Sequence, residues 1–334
     1  MPDATPTSTA PPSPARRNNA WFAAQIAVTA IILWFVGGRL LDQWKKFRGT
    51  PIEVHPRWSF IVLSCLIVLA AYAVLIETWR RILRAWGDQL GFFEAARIYF
   101  ISNLGRYIPG KIWSIGVMAE MSRRRQVSVA AATGSSIIST LVNIATGFVI
   151  ALFTGWKAVD RASNGHAVIG IVIAILVLLG LFTLPVVLPA LESFMRRRVG
   201  RDLSLGTLPH RAIYVAIVGN LVAWVLYGAA FQAFTAGVIE RTYGSLVDYI
   251  AVYASSYVLG YLALAFPGGL IAREMALTGM LHSLQLATFG QAAVVAATSR
   301  LWLTVLEILP ALLFLAFGTR RQTHAMTARD GTKT

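Results

Sequence analysis

The chain has 334 residues, 56% of them hydrophobic and only 13% charged, about half the charged share of an ordinary soluble domain. Its apolar residues fall in blocks of about 20, the length that crosses hydrocarbon, which excludes a soluble globular fold and predicts an all-α integral membrane protein. The net charge of +15 would suit nucleic acid, but Lys and Arg gather beside the apolar blocks as topology signals do, so no nucleic-acid partner is expected.

Residues 1–19, rich in Pro, Ser, Thr and Ala, cannot bury a core and read as a disordered cytoplasmic tail. Arg16 and Arg17 precede an apolar run over 20–41. The run is long, and its far end, Val36-Gly-Gly-Arg39, lacks a small-x-small cleavage site, so an uncleaved first span is expected rather than a signal peptide. Further spans are expected over 57–83, 127–153, 165–191, 209–234 and 289–318, making six. Residues 319–334 then form a basic cytoplasmic tail. The single cysteine, Cys65, has no partner for an internal disulfide.

Two apolar stretches are interrupted. Residues 92–121 contain Asn103-Leu-Gly-Arg106-Tyr-Ile-Pro109-Gly110-Lys111, and residues 246–281 contain Ala265-Phe-Pro267-Gly268-Gly269-Leu-Ile-Ala-Arg273-Glu274. Pro plus Gly breaks a helix and frees backbone polar groups, which is tolerated at membrane depth only against protein or a water-filled cavity. Each stretch therefore reads as a re-entrant helical hairpin, with a pair of complete helices as the alternative.

The hairpins recur in the same context. Ala71-Tyr-Ala-Val-Leu-Ile-Glu-Thr-Trp79 precedes the first and Ala223-Trp-Val-Leu-Tyr-Gly-Ala-Ala-Phe231 the second, each with aromatic residues seven apart. A span rich in small residues follows each. The unit span, span, hairpin, span, used over 20–155 and again over 165–318, has an odd number of crossings. The second copy is therefore inverted, as in transporters whose broken helices meet near the midplane. With the N-terminus inside, inner segments hold most of the Lys and Arg, including Arg80, Arg84, Arg123, Arg125, Arg197 and Arg320. This places both termini in the cytoplasm and the protein in the cell membrane, although the basic loop 39–57 falls outside.

The segments Asn103-Leu-Gly-Arg-Tyr-Ile-Pro-Gly-Lys-Ile-Trp113 and Pro267-Gly-Gly-Leu-Ile-Ala-Arg-Glu274, followed by Ala297-Thr-Ser-Arg300, resemble the signature segments of the lysylphosphatidylglycerol synthase transmembrane-region family of flippase-like proteins. The resemblance covers roughly residues 20–318. It implies a multi-pass membrane protein that handles an anionic phospholipid or a lipid-linked glycan, without a cofactor. In the founding enzyme a separate cytosolic domain makes the aminoacylated lipid. Only sixteen residues follow Gly318, so no aminoacyltransferase domain is expected and lysyl transfer is not implied. A membrane-embedded enzyme or accessory subunit acting on polyprenyl-phosphate sugars is the second reading. A second copy of the chain or a glycosyltransferase are the protein partners it admits.

A charge at mid-bilayer costs about 2.5–3.5 kcal/mol on insertion scales, so such a group faces a cavity or a partner. Arg106, Lys111, Arg273, Glu274, Arg300 and Glu307 are in that position. The helices that open after Pro109-Gly110 and after Pro267-Gly268-Gly269 offer unpaired N–H groups and a positive dipole end to phosphate. Arg106, Pro109, Gly110, Lys111, Pro267, Gly268, Gly269, Arg273, Glu274 and Arg300 are thus candidates for binding an anionic headgroup. The competing reading is that the cations pair with Glu120, Glu274 or Glu307 and only hold the bundle. Glu307 reads as structural, Glu77 as a partner of Arg80 or Arg81, and Asn143 and Asn220 as packing residues. Trp21, Trp44, Trp58, Trp86, Trp156 and Trp302 read as interfacial anchors. Gly105 to Lys111 has phosphate-loop spacing, but Ile112 stands where Ser or Thr must reach magnesium. The five histidines show no metal-site spacing, and His282 reads as interfacial. No catalytic residue and no metal are assigned.

Overall fold

The computed structural model describes residues 56–107, 112–154, 210–239, 242–262 and 272–330. The spans expected over 20–41 and 165–191 lie outside these residues, as do the tail 1–19 and both Pro-Gly breaks. All described residues fall in the compact unit Pro51–Thr334.

Within them the chain is all helical: α1 (Trp58–Ala85), α2 (Phe92–Asn103), a 3-10 turn (Leu104–Tyr107), α3 (Ile112–Arg123), α4 (Val129–Thr154), α5 (His210–Val238), α6 (Leu246–Leu262), α7 (Ala272–Ser283) and α8 (Phe289–Asp330). Four of these contain stretches long and apolar enough to cross a membrane: Trp58–Ala85, Ala131–Thr154, Arg211–Val238 and Phe289–Ala316. They match four expected spans to within a few residues. By contrast α2, α3 and α7 have 12 residues each. At 1.5 Å per residue that is about 18 Å, well short of a hydrocarbon core of about 30 Å. Each interrupted stretch is divided in two as expected, and its halves pack together, α2 on α3 and α6 on α7. The final helix continues past Gly318 to Asp330, so the segment expected as a tail begins as helix.

Local signals set the ends. Gly87 takes φ +89 just after α1, and its N–H bonds back to the Arg84 carbonyl at 3.0 Å, a left-handed glycine stop. Gly244, in the turn after α5, takes φ +86. The turns from α3 to α4 and from α7 to α8 are alike in finer detail. Gln126 and Gln285 adopt φ 62 and 59. The next N–H reaches back five residues in both, Val127 to Ser122 at 3.1 Å and Leu286 to Leu281 at 2.9 Å. A hydroxyl then caps each following helix: Ser128 accepts from the Ala131 N–H at 3.0 Å and Thr288 from the Gln291 N–H at 3.4 Å.

Among the described residues the longest interface joins α1 and α5, and they run antiparallel. Ile61, near the start of α1, meets Gly237 near the end of α5, and Thr78, late in α1, meets Gly219 early in α5. The glycines admit the close approach. A Cβ on Gly237 would lie 2.6 Å from Ile61 Cγ1, and one on Gly219 would lie 3.0 Å from Thr78 Cβ. Arg57 closes one end of the pair: its guanidinium donates to the carbonyls of Ala236 and Ile239, where the α5 macrodipole is negative. At the other end Ile82 packs with Ile138, Val142, Ala212, Ile213, Ala216 and Ile217. Here α4 joins, parallel to α5, with Asn143 opposite Asn220 and Gly147 opposite Trp224.

Helix neighbours obey a simple exchange. Replace α1, α2, α3 and α4 by α5, α6, α7 and α8, and the reverse, and the extensive helix contacts map onto one another. The contacts α4–α6, α5–α6, α6–α7, α7–α8, α4–α5 and α1–α4 become α8–α2, α1–α2, α2–α3, α3–α4, α8–α1 and α5–α8, while α1–α5 maps onto itself.

Candidate functional site

The site is built from the start of α7. Arg273, its second residue, is only 7% exposed. It can enter the protein because α6 presents Gly260 there: a Cβ on that glycine would lie 2.8 Å from the Arg273 Cβ. The guanidinium lies over the ring of Tyr253, 5.6 Å from its centroid, a cation–π contact between α7 and α6. Its Nε and Nη2 are buried without a hydrogen-bond acceptor among the described residues. These two nitrogens form one edge of the planar group, the edge that presents parallel N–H donors to a carboxylate or phosphate. A buried donor left unmatched costs about 1–3 kcal/mol, more for a charged group.

Glu274 is the next residue and points elsewhere, as adjacent residues on a helix do. Its Oε1 lies 3.7 Å from Nη1 of Arg300 on α8, and both side chains are about one-fifth exposed. An ion pair of that length is loose enough to be traded for another partner.

Behind Arg273 the interior is aromatic and hydroxylated. Tyr253 stacks on Tyr227 of α5, with centroids 5.4 Å apart and planes at 15°. Tyr227 meets the edge of Tyr72 from α1 at 6.1 Å. Tyr72 in turn contacts Tyr99 and Phe100 of α2 and donates its phenol hydrogen to Oε1 of Glu307 on α8, at 3.3 Å. Trp224 meets Tyr257 at 5.2 Å. Five helices thus converge on tyrosines and one buried carboxylate. Such a centre can hold polar groups in hydrocarbon, since each phenol is both donor and acceptor.

A family model described as the lysylphosphatidylglycerol synthase TM region matches residues 22–311. The chain belongs to that family. No curated protein matches it. As a member of the lysylphosphatidylglycerol synthase TM region family it is a multi-pass membrane protein, in keeping with the four span-length helices among its described residues.

The expected residues of this family member are placed as follows. Glu274 and Arg300 come together between α7 and α8, while Arg273 turns to α6. Arg106 is carried by the 3-10 turn, which packs against α8 and α3. Pro109, Gly110, Lys111, Pro267, Gly268 and Gly269 lie outside the described residues. Glu120 is engaged by Arg123 at 2.8 Å and Arg124 at 3.0 Å, at the exposed end of α3. Glu77 pairs with both Arg80 and Arg81, at 2.7 and 2.9 Å. Asn143 donates to Asn220 at 2.8 Å across α4 and α5, the expected packing contact. Trp58 is 69% exposed at one end of α1, as an anchor should be, and His282 is exposed at the end of α7. Trp302 differs. It is buried and stacks on Phe234 of α5 at 4.6 Å, because α8 crosses α5 there and the ring fills the crossing. Sequence reasoning also missed the tyrosine centre. Its trace is several phenols deep within apolar blocks, where Phe would be cheaper. Among the described residues no three His, Cys, Asp or Glu side chains are grouped to hold a metal.

Proposed function

We propose that this protein is a flippase-like transporter that moves an anionic phospholipid or a lipid-linked glycan between leaflets. The observation that carries the reading is Arg273, a buried guanidinium at the start of a helix with its two-donor edge unmatched among the described residues. The headgroup binds there, between the openings of the two broken segments. Arg106, Pro109, Gly110 and Lys111 contribute from the first, and Pro267, Gly268, Gly269, Arg273 and Glu274 from the second, with Arg300 beside them.

In this reading the domain over 20–318 has six spans and two re-entrant hairpins, arranged as inverted repeats over about 20–155 and 165–318. The antiparallel run of α1 against α5 supports the inversion, because these are the corresponding spans of the two copies. The exchange of helix neighbours and the matched turns at Gln126 and Gln285 support the correspondence. Three of the four halves have twelve residues and the fourth 17, which supports hairpins over full crossings. Both termini face the cytoplasm of a cell in whose plasma membrane the protein sits.

The test is paired. A helix terminus contributes about 0.3–1 kcal/mol, up to about 2 when partly buried, and a charge-assisted hydrogen bond about 1.5–3 kcal/mol. Lys111→Gln and Arg273→Gln should each weaken anionic-lipid binding by about one to two orders of magnitude, at about 1.4 kcal/mol per tenfold. Thermal stability in detergent should fall less than lipid translocation in proteoliposomes. A bundle-holding role gives the reverse, since stranding a buried partner costs about 3–5 kcal/mol. Loss of stability in step with activity, or full activity with anionic lipid, refutes the headgroup role.

A further inference from the structure

Two turns meet at one end of the described bundle, the one from α1 to α2 and the one from α3 to α4. Asp88 in the first accepts the Ser128 N–H at 3.3 Å, and Arg125 in the second holds Glu94 Oε1 at 2.6 Å. Arg97 stands one turn beyond Glu94 on α2 and is half-buried. Its Nε is enclosed and has no acceptor among the described residues. The glutamates of this end are engaged by other arginines: Glu77 by Arg80 and Arg81, Glu120 by Arg123 and Arg124, Glu94 by Arg125. Glu94 also leans away from Arg97. A Cβ on Gly91, one turn before it, would lie 3.7 Å from its Oε2. Arg97 and Arg125 thus flank one carboxylate, and their guanidiniums repel each other.

A half-buried guanidinium without a counter-charge is costly unless an anion supplies one. Arg97 is held by its neighbours Ala96 and Ile98, both buried. Arg125 is held by its turn, where its N–H bonds to the Ser122 carbonyl at 2.9 Å and Gln126 takes φ 62. Phe93 decides the kind of anion. It stands four residues before Arg97 on the same face of α2 and is 77% exposed. A bare ring beside a guanidinium unpaired among the described residues matches acyl chain beside phosphate, the layering of a membrane interface. Free phosphate would use the cations and leave the ring idle.

We propose that Arg97 and Arg125 hold the phosphate of an anionic phospholipid from the leaflet at this end of the bundle, with Phe93 against its acyl chains. The site belongs to α2 and the turn after α3 and uses no residue of α6 or α7. Arg97 lies about two and a half turns before Arg106 along the chain. This is a lipid site apart from the one built on Arg273, and it stands whether or not that reading does.

The experiment uses the full chain in neutral detergent, offered phosphatidylglycerol, phosphatidylcholine or inorganic phosphate, with retained lipid counted by native mass spectrometry. The expected result is retention of phosphatidylglycerol that phosphatidylcholine does not match and inorganic phosphate does not displace. Arg97→Gln should weaken one bound phosphatidylglycerol by about tenfold, the scale of one charge-assisted hydrogen bond, and Phe93→Ala should weaken it severalfold. Arg81→Gln removes the same charge from an exposed arginine already paired with Glu77 and should leave retention unchanged. A phosphatidylglycerol with a photoreactive headgroup should mark the peptide that holds Phe93 and Arg97, in the unaltered protein and in Arg273→Gln alike. Equal loss in Arg81→Gln and Arg97→Gln reduces the effect to diffuse charge and overturns the inference. Full retention in Arg97→Gln, equal retention of phosphatidylcholine, or displacement by inorganic phosphate overturns it too. If Arg97→Gln does not fold, the photoreactive lipid decides: marks confined to other segments, or lost in Arg273→Gln, overturn the site.

Discussion

Gly228 fixes how near α5 approaches α6. A Cβ there would lie 2.8 Å from the Ile250 Cα, a backbone atom that cannot swing aside as a side-chain end can. Gly228→Ala must therefore separate the two helices that carry Tyr227 and Tyr253. An overpacked contact costs about 1–3 kcal/mol, which a fall in thermal stability in detergent would register, while an unchanged midpoint would show that the interface yields freely. Gly116, which has nothing within 4 Å, is the matched control. The charges divide by location in the same way. Glu120, at the exposed last turn of α3 and outside the four spans, has its carboxyl pulled down to about 2 by hydrogen bonds from Arg123 and Arg124. A depressed carboxyl contributes stability that is full above its unfolded value and is lost as pH falls from there through about 2, so Glu120 adds no pH dependence near neutrality. The basic end of α3 is a local clamp, whereas Arg273 on α7 and Glu307 on α8 are buried where solvent screens little. The pairing of Glu77 with Arg80 and Arg81 was legible in the sequence from i, i+3 and i, i+4 spacing, whereas Glu120, expected opposite the hairpin cations, takes Arg123 and Arg124 of its own helix end. The partnership of Arg273 with Tyr253 was not legible either, because it joins residues on separate helices.

Broken elements carry the proposed transport site, and their breaks were readable directly. Proline lacks an N–H and glycine gives up helix propensity, so Pro109-Gly110 and Pro267-Gly268 predict interruptions that the separate helices α2, α3, α6 and α7 bear out. Whether each pair returns to the face it entered from is a matter for labelling. In a Cys65→Ser background, single cysteines replacing Ile108 and Phe266 should react with small charged thiol reagents, the first from one side of the membrane and the second from the other. Reaction of both from a single side, or of neither, is incompatible with opposed hairpins. The pairing of α1 with α5 is an element-scale property that the sequence only hinted at. The aromatic residues Tyr72, Trp79, Trp224 and Phe231 marked the two helices as counterparts, and their positions turn out to be used alike. Tyr72 reaches from α1 to α8, and Trp224 reaches from α5 to Thr146 of α4 at 3.2 Å.

At the scale of the whole molecule, the proposed inverted arrangement makes a topological prediction independent of any substrate. Reporters fused after Gly49, Gly155 and Gly244 should read outside, and one after Gly200 inside. An inside signal at Gly155 would give the two copies the same orientation and remove the inversion. The outer surfaces of the described spans agree with lipid contact: Leu63 and Leu66 on α1 and Val218, Val222 and Val225 on α5 are exposed and apolar. The sequence by itself determined that this is a helical membrane protein, where four of its spans lie, where two segments break, and which family it belongs to. Those properties follow from block length, hydropathy and backbone chemistry, which act within about 20 to 30 neighbouring residues. Only the tertiary structure decided that α1 and α5 lie antiparallel, that Trp302 is buried in a crossing, that Arg273 turns inward an edge unmatched among the described residues, and that Glu307 stands against a tyrosine centre built from separate helices. In hydrocarbon every face of a span is apolar, so periodicity does not say which face meets protein. That choice falls to small-residue contacts and hydrogen bonds between residues far apart in the chain.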